Sequence, residues 1–160
     1  MRAAVFAYTR RGAETARRIM SALEAEEIRA YAPARLEAED FRSIDPDSRA
    51  LYGRAFSEAD ALIFVGACGI AVRSIAPWVR DKATDPAVVA VDELGRVSIC
   101  LLSGHIGGGN ALAARLAEAL GGTAVVTTAT DINGRFSVDE WAARQGCAID
   151  DRETAKAVSA

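Results

Sequence analysis

The chain has 160 residues, a net charge of −3 and 51% apolar residues, among them 34 alanines. This length suits a single domain with a real core, and the mildly acidic balance excludes a broadly basic nucleic-acid surface. No run approaches the roughly 18 apolar residues of a membrane span, and the opening ten residues are too short an apolar stretch for a signal peptide.

In chain order, the apolar run Arg2–Tyr8 reads as a buried strand. Thr9-Arg10-Arg11-Gly12 then leads into a helix with Ala16, Ile19, Met20 and Leu23 on one face. Ile28–Ala32 is a second, weaker strand that Pro33 ends. Residues 34–60 are polar and irregular, with helical turns expected around Ser48–Phe56. Ala61–Val65 is a core strand that breaks at Gly66-Ala67-Cys68-Gly69 and continues as a helix through Ile70, Val72, Arg73 and Ile75 towards Pro77 and Trp78. Val88–Val91 and Val97–Leu102 are strands joined by Asp92-Glu93-Leu94-Gly95-Arg96, a length and composition that predict an antiparallel hairpin.

Ser103–Asn110 is a Gly-rich loop feeding a helix with Leu112, Leu116 and Leu120, which Gly121-Gly122 stops. Ala124–Thr127 is a further strand, and Phe136–Trp141 has the capping-box spacing of a helix start at Ser137 and Glu140. The alternation predicts an α/β fold, a three-layer sandwich with a mixed, mostly parallel sheet flanked by helices. Residues 1–150 form the expected domain, and 151–160 read as the start of a linker or of a truncated helix.

Ligands in open α/β sheets gather beyond the carboxyl ends of strands, where loops expose amides at helix N-termini. Four loops are placed to do so: Thr9–Gly12, Gly66–Gly69, Ser103–Asn110 and Thr127–Arg135. None carries a GxGxxG or GxxxxGK[ST] fingerprint, and a glycine at any of them also serves a plain tight turn. His105 is the single histidine and sits inside a Gly-rich loop just past a strand, where an imidazole can exchange protons with water or with a leaving group.

Cys68, at a strand-to-helix turn, is either a small packed thiol or one activated by a helix dipole. Cys68, Cys100 and Cys147 are spaced too widely for a zinc knuckle, a CxxC pair or a disulfide framework, so a reducing, cytoplasmic setting is expected. All but Lys82 and Lys156 of the 19 basic residues are arginines, the side chain that grips carboxylates with two parallel bonds. Arg73, Arg80, Lys82 and Arg135 follow candidate loops, and Thr128, Asp131 and Asn133 lie in the polar segment after the last strand.

Four ordered segments together resemble the N-terminal region of the CbiG family: Phe64 to Arg73 with its Gly66-Ala67-Cys68-Gly69 turn; Lys82 to Pro86 with Val91 to Gly95; Leu102 to Asn110; and Thr127 to Asp131. The resemblance implies cobalamin (vitamin B12) biosynthesis by the anaerobic pathway, in which cobalt-precorrin-5A hydrolase opens a δ-lactone and releases acetaldehyde to give cobalt-precorrin-5B. It implies a carboxylated corrinoid substrate that carries its own cobalt, no protein cofactor or metal site, no nucleic-acid or membrane partner, and association with a C-terminal CbiG domain or other pathway enzymes.

Matching that chemistry to residue types assigns His105 as general base, with Asp131 to orient it or assist fragment loss. Substrate contacts fall to Gly66, Cys68, Gly69, Arg73, Ser103, Gly104, Gly107, Gly108, Asn110, Thr128 and Arg135. Amides of Gly107–Asn110 or Gly69–Ile70 would meet an oxyanion. A corrinoid-binding module that leaves the chemistry to a further domain, and an unrelated flavodoxin-like domain for a phosphorylated cofactor, are the alternative readings.

Overall fold

Two five-residue runs in which every residue is buried, Ala61–Val65 and Ala87–Val91, lie side by side at the centre of the sheet. Strands buried on both faces carry such unbroken apolar sequences, because helices cover them from either side. The computed structural model describes residues 1–25, 27–105 and 107–128. Among these, the strands in chain order are β1 (Arg2–Ala7), β2 (Glu27–Ala32), β3 (Arg42–Ser43), β4 (Ala61–Val65), β5 (Ala87–Val91), β6 (Val97–Leu102) and β7 (Thr123–Val125). The helices are α1 (Arg10–Ala22), α2 (Ser48–Glu58), α3 (Cys68–Ile75) and α4 (Gly109–Leu120).

The seven strands form one sheet in the order β3-β2-β1-β4-β5-β6-β7. Neighbours from β3 to β5 pair in parallel; β6 pairs antiparallel to β5, and β7 runs parallel to β6. The predicted α/β sandwich with a mixed, mostly parallel sheet is therefore the fold observed, hairpin included.

Alternation along the strands divides the core in two. Val5, Ala7, Ile63, Val65, Val89 and Val91 face α1 and α4, and pack on Ala13, Ala16, Ile19, Leu112 and Leu116. Ala4, Phe6, Leu62, Phe64 and Val88 face α2 and α3, and pack on Leu51, Tyr52, Ala55, Phe56 and Ile75. On that second face Phe6 stacks between Tyr31 at 5.1 Å and Phe64 at 4.9 Å, so one aromatic row crosses β2, β1 and β4.

Local chemistry sets the helix ends. The Thr9 hydroxyl accepts from Gly12 N–H and the Asp47 carboxylate from Ala50 N–H, capping α1 and α2. Gly121, at φ 70°, ends α4 with bonds to the Ala117 and Glu118 carbonyls. The α3 helix stops at Ile75, short of Trp78: Ala76 keeps helical backbone and bonds Val72 O, but Pro77 has no N–H with which to continue the ladder.

Three expectations shift. Residues 48–58 form a full helix where only turns were expected, because its buried stripe of Leu51, Tyr52, Ala55 and Phe56 is short and its remaining positions are polar or small. The two-residue β3 is exposed on both residues, so it has no apolar signature to read. The last strand runs over Thr123–Val125, starting one residue earlier and ending two earlier than read. The Phe136–Trp141 helix start and the division at 150/151 lie outside the described residues.

Candidate functional site

The chain leaves β1 towards β2 and β3 on one side of the sheet, then returns to place β4 on the other side. The connections that leave the carboxyl ends of β1 and β4 turn there to opposite faces of the sheet, the position where open sheets form ligand crevices. Gly66 follows β4 with its N–H bonded to Val91 O, and Cys68 opens α3 half-buried. The Arg73 guanidinium folds back over the first turn of α3, so that a Cβ on Gly69 would lie 3.3 Å from it. Thr9 donates to the Glu93 carboxylate at 2.8 Å, while Asp92 accepts the amides of Leu94 and Val97 and so shapes the β5–β6 turn. Tyr8 and Tyr52 share a hydrogen bond of 2.9 Å between their phenol oxygens. Burial, then the neighbouring Tyr52 phenol, pushes the Tyr8 phenol above the ordinary tyrosine range.

The Ser103–Asn110 loop lies at the opposite edge. Because β6 runs against β5, its carboxyl end pairs with the amino end of β5, Val88 facing Leu102. Ser103 is buried, has a left-handed backbone (φ 55°) and donates to the Asp85 carbonyl at 2.8 Å. The buried Asp85 carboxylate in turn accepts Arg80 N–H at 2.8 Å. The loop then bonds to itself: Gly108 N–H to His105 O, Gly109 N–H to Ser103 O and Asn110 N–H to Gly104 O, each at 3.0 Å.

Gly107 and Gly109 pass so close to the strand end that an added Cβ would meet Ser103 Cβ at 2.5 Å and Cys100 Sγ at 2.7 Å, respectively. The Asn110 amide donates to Thr128 Oγ at 3.0 Å, which ties the loop to the segment after β7. His105 is half-buried on this knot of backbone.

The candidate residues thus form two groups. Gly66, Cys68, Gly69 and Arg73 share the carboxyl edge of the parallel strands; Ser103, Gly104, His105, Gly107, Gly108, Asn110 and Thr128 share the other. Strands of five or six residues rising about 3.3 Å each put roughly 16–20 Å between them. Because β6 and β7 run opposite to the other strands, Ser103–Asn110 and Thr128 lie at the other end of the sheet from Thr9–Gly12 and Gly66–Gly69. The amides offered to an oxyanion also change: those of Gly108, Gly109, Asn110 and Ile70 already donate to backbone carbonyls, which leaves Gly107 and Gly69 from those sets.

Asp131 and Arg135 lie outside the described residues. Sequence reasoning missed the anchoring role of Asp85 and the Tyr8–Tyr52 pair, both made by packing between distant segments with no local signal. Among the described residues no three His, Cys, Asp or Glu side chains converge as a metal site, and no helix is long and apolar enough to cross a membrane.

Residues 50–131 match the family described as cobalamin synthesis G N-terminal. Over 152 residues, 95% of this chain, the sequence is 42% identical to cobalt-precorrin-5A hydrolase of Salmonella typhimurium, and it is 36% identical over 98% of the chain to the enzyme of that name from Priestia megaterium. The chain spans 42% and 43% of the lengths of these two relatives. A crystal structure of a cobalamin biosynthesis protein G homologue from Sulfolobus solfataricus shares the fold, with a TM-score of 0.62 and 21% identity over 99% of this chain and 44% of its own. These matches displace the reading as an unrelated phosphorylated-cofactor domain. The chain belongs to the cobalamin synthesis G N-terminal family.

Proposed function

We propose that this domain takes part in the hydrolytic opening of the δ-lactone of cobalt-precorrin-5A, with release of acetaldehyde. The observation that carries this reading is the 42% identity to a cobalt-precorrin-5A hydrolase across 95% of the chain. The cobalt enters with the substrate. His105 acts as general base: it takes a proton from the water that attacks the lactone carbonyl. The lactone C–O bond breaks, the freed alkoxide collapses to the acetaldehyde carbonyl as its C–C bond to the macrocycle breaks, and the macrocycle receives the electron pair and the proton.

The loop supplies rigidity around that imidazole. Its backbone bonds, the Ser103–Asp85 contact and the Asn110–Thr128 contact hold His105 in place. Gly107 N–H is a backbone donor of this loop available to an oxyanion. Asp131 orients His105 or assists fragment loss, and Arg135 holds a peripheral carboxylate. Arg73, on the far edge, serves a separate contact.

The length relation favours one second reading, in which this domain holds the corrinoid and the remaining part of the longer relatives completes the chemistry. Complementation tests the first. A chimera carrying this chain in place of the matching region of the Salmonella enzyme should restore cobalamin-dependent growth to a strain lacking that hydrolase. The same chimera with His105→Ala should not, although it accumulates to the same level. Equal growth of both would remove His105 from the mechanism. Failure of both, with soluble chimera present, would count against the domain's part in the reaction.

A further inference from the structure

A sheet in a layered α/β fold buries its apolar side chains against helices on both faces. At the β6–β7 end, alternation turns Ser98, Cys100 and Ala124 towards α4, which packs on both strands. Val97, Ile99, Leu101 and Val125 point to the other face, the side of α2 and α3. On that side α3 lies over β4 and β5, and among the described helices α4 alone makes extensive contact with β6 and β7. All four apolar side chains stay half-buried, and Val97, Ile99 and Val125 join neither core described above.

We propose that residues 136–145 of this chain occupy that face, as a short amphipathic helix that lays Val138, Trp141 and Ala142 along β6 and β7.

Two observations select this segment. The first is its pattern. Val138, Trp141 and Ala142 recur at i, i+3 and i+4, while Asp139, Glu140 and Arg144 fall away from that stripe. Ser137 with Glu140 opens such a helix, and Gly146 closes it. Trp141 carries most of the area to be covered, since a buried tryptophan removes roughly 150–250 Å² from water.

The second observation is where residues 129–160 join the described structure. β7 runs parallel to β6, so both strands end at the His105 edge, where the Asn110 amide holds Thr128 at 3.0 Å. From Thr128 to Phe136 an extended chain spans up to about 27 Å, ample to round the end of β6. The opposite face is taken by α4, which leaves the face of Ile99 and Val125. The connection then passes the His105 edge and carries Asp131 and Arg135 with it. The packing itself stands apart from the lactone chemistry.

Photocrosslinking in the full chain tests the proposal. With Trp141→p-benzoylphenylalanine, ultraviolet light should join residue 141 to Ile99, Leu101 or Val125 of the same chain, as mapped by peptide mass spectrometry. Urea unfolding gives a second reading that needs no probe. Trp141→Ala and Ile99→Ala should be coupled, the double variant losing at least about threefold less in its unfolding equilibrium constant than the product of the single losses. Trp141→Ala with Val72→Ala, at an exposed position on α3, should combine independently.

The proposal is overturned by cross-links only to a second copy of the chain or to other elements, by no cross-link at all, or by independence of Trp141 and Ile99. A cross-link that vanishes once the C-terminal portion of the Salmonella enzyme is added would assign the face to that portion, and overturns it too. Acetaldehyde release in the chimera is read separately, so failure here leaves the hydrolase reading standing.

Discussion

Replacing Ser103 separates the two devices that turn the chain from β6 into the His105 loop. Ser103→Ala keeps a side chain on a left-handed backbone and removes the donor to the Asp85 carbonyl. A buried acceptor that loses its partner costs about 1–3 kcal/mol. Ser103→Gly loses the same bond but relieves the left-handed strain, worth roughly 1–2 kcal/mol, against about 0.5–1 kcal/mol for the freer unfolded chain.

The glycine variant should therefore be the more stable of the two by about 1 kcal/mol, with both below wild type. At this chain length that difference is a gap of about 2–4 °C in Tm. Urea and thermal unfolding, followed by far-UV circular dichroism, read it directly. An alanine variant as stable as the glycine one would show that Ser103 holds no left-handed turn. Two variants as stable as wild type would remove the Asp85 anchor.

Three other substitutions follow from the same geometry. Gly109→Ala sets a methyl 2.7 Å from Cys100 Sγ and 2.8 Å from the Leu102 carbonyl, so overpacking should cost about 1–3 kcal/mol, seen as a lower urea midpoint. Gly69→Ala meets only the movable end of Arg73, at 3.3 Å, so the Tm in thermal unfolding should hold or rise slightly. Asp60 receives bonds from both the Arg2 guanidinium and the Arg2 amide, which hold its carboxyl below the usual aspartate range.

With the folded pKa depressed, the Asp60 contribution is present above the unfolded value and is lost as pH falls through the folded one. The stability advantage of wild type over Asp60→Asn should therefore shrink on acidification below about pH 4, and unfolding at a series of pH values checks it. The exposed, salt-screened setting keeps the effect small.

Much of this architecture can be read from side-chain pattern. The apolar runs of β1, β4 and β5, the 3.6-residue spacing of α1 and α4, and the Asp92–Arg96 hairpin all carry local signals, and each is where it was expected. The consequence of that hairpin did not carry forward. Once β6 reverses, the loop after it leaves the edge that holds Gly66–Gly69, so His105 and Arg73 part company.

Contacts made between distant segments left no trace in the pattern. Tyr8 meets Tyr52 only because α2 lies over β1, and Ser103 reaches the Asp85 carbonyl only because β5 and β6 pair. The ordered motifs around Cys68, His105 and Thr128 pointed to the family more sharply than any single loop. They carried no information on which edge of the sheet each motif would occupy.

The most direct measurement mixes this chain with the complementary C-terminal portion of the Salmonella enzyme and cobalt-precorrin-5A, then follows acetaldehyde together with the macrocycle absorbance. Acetaldehyde released in step with substrate loss, absent when either portion is withheld and reduced more than threefold by His105→Ala, is the predicted result. Binding of the corrinoid with no acetaldehyde from the mixture, or acetaldehyde from the C-terminal portion alone at the full rate, would contradict it.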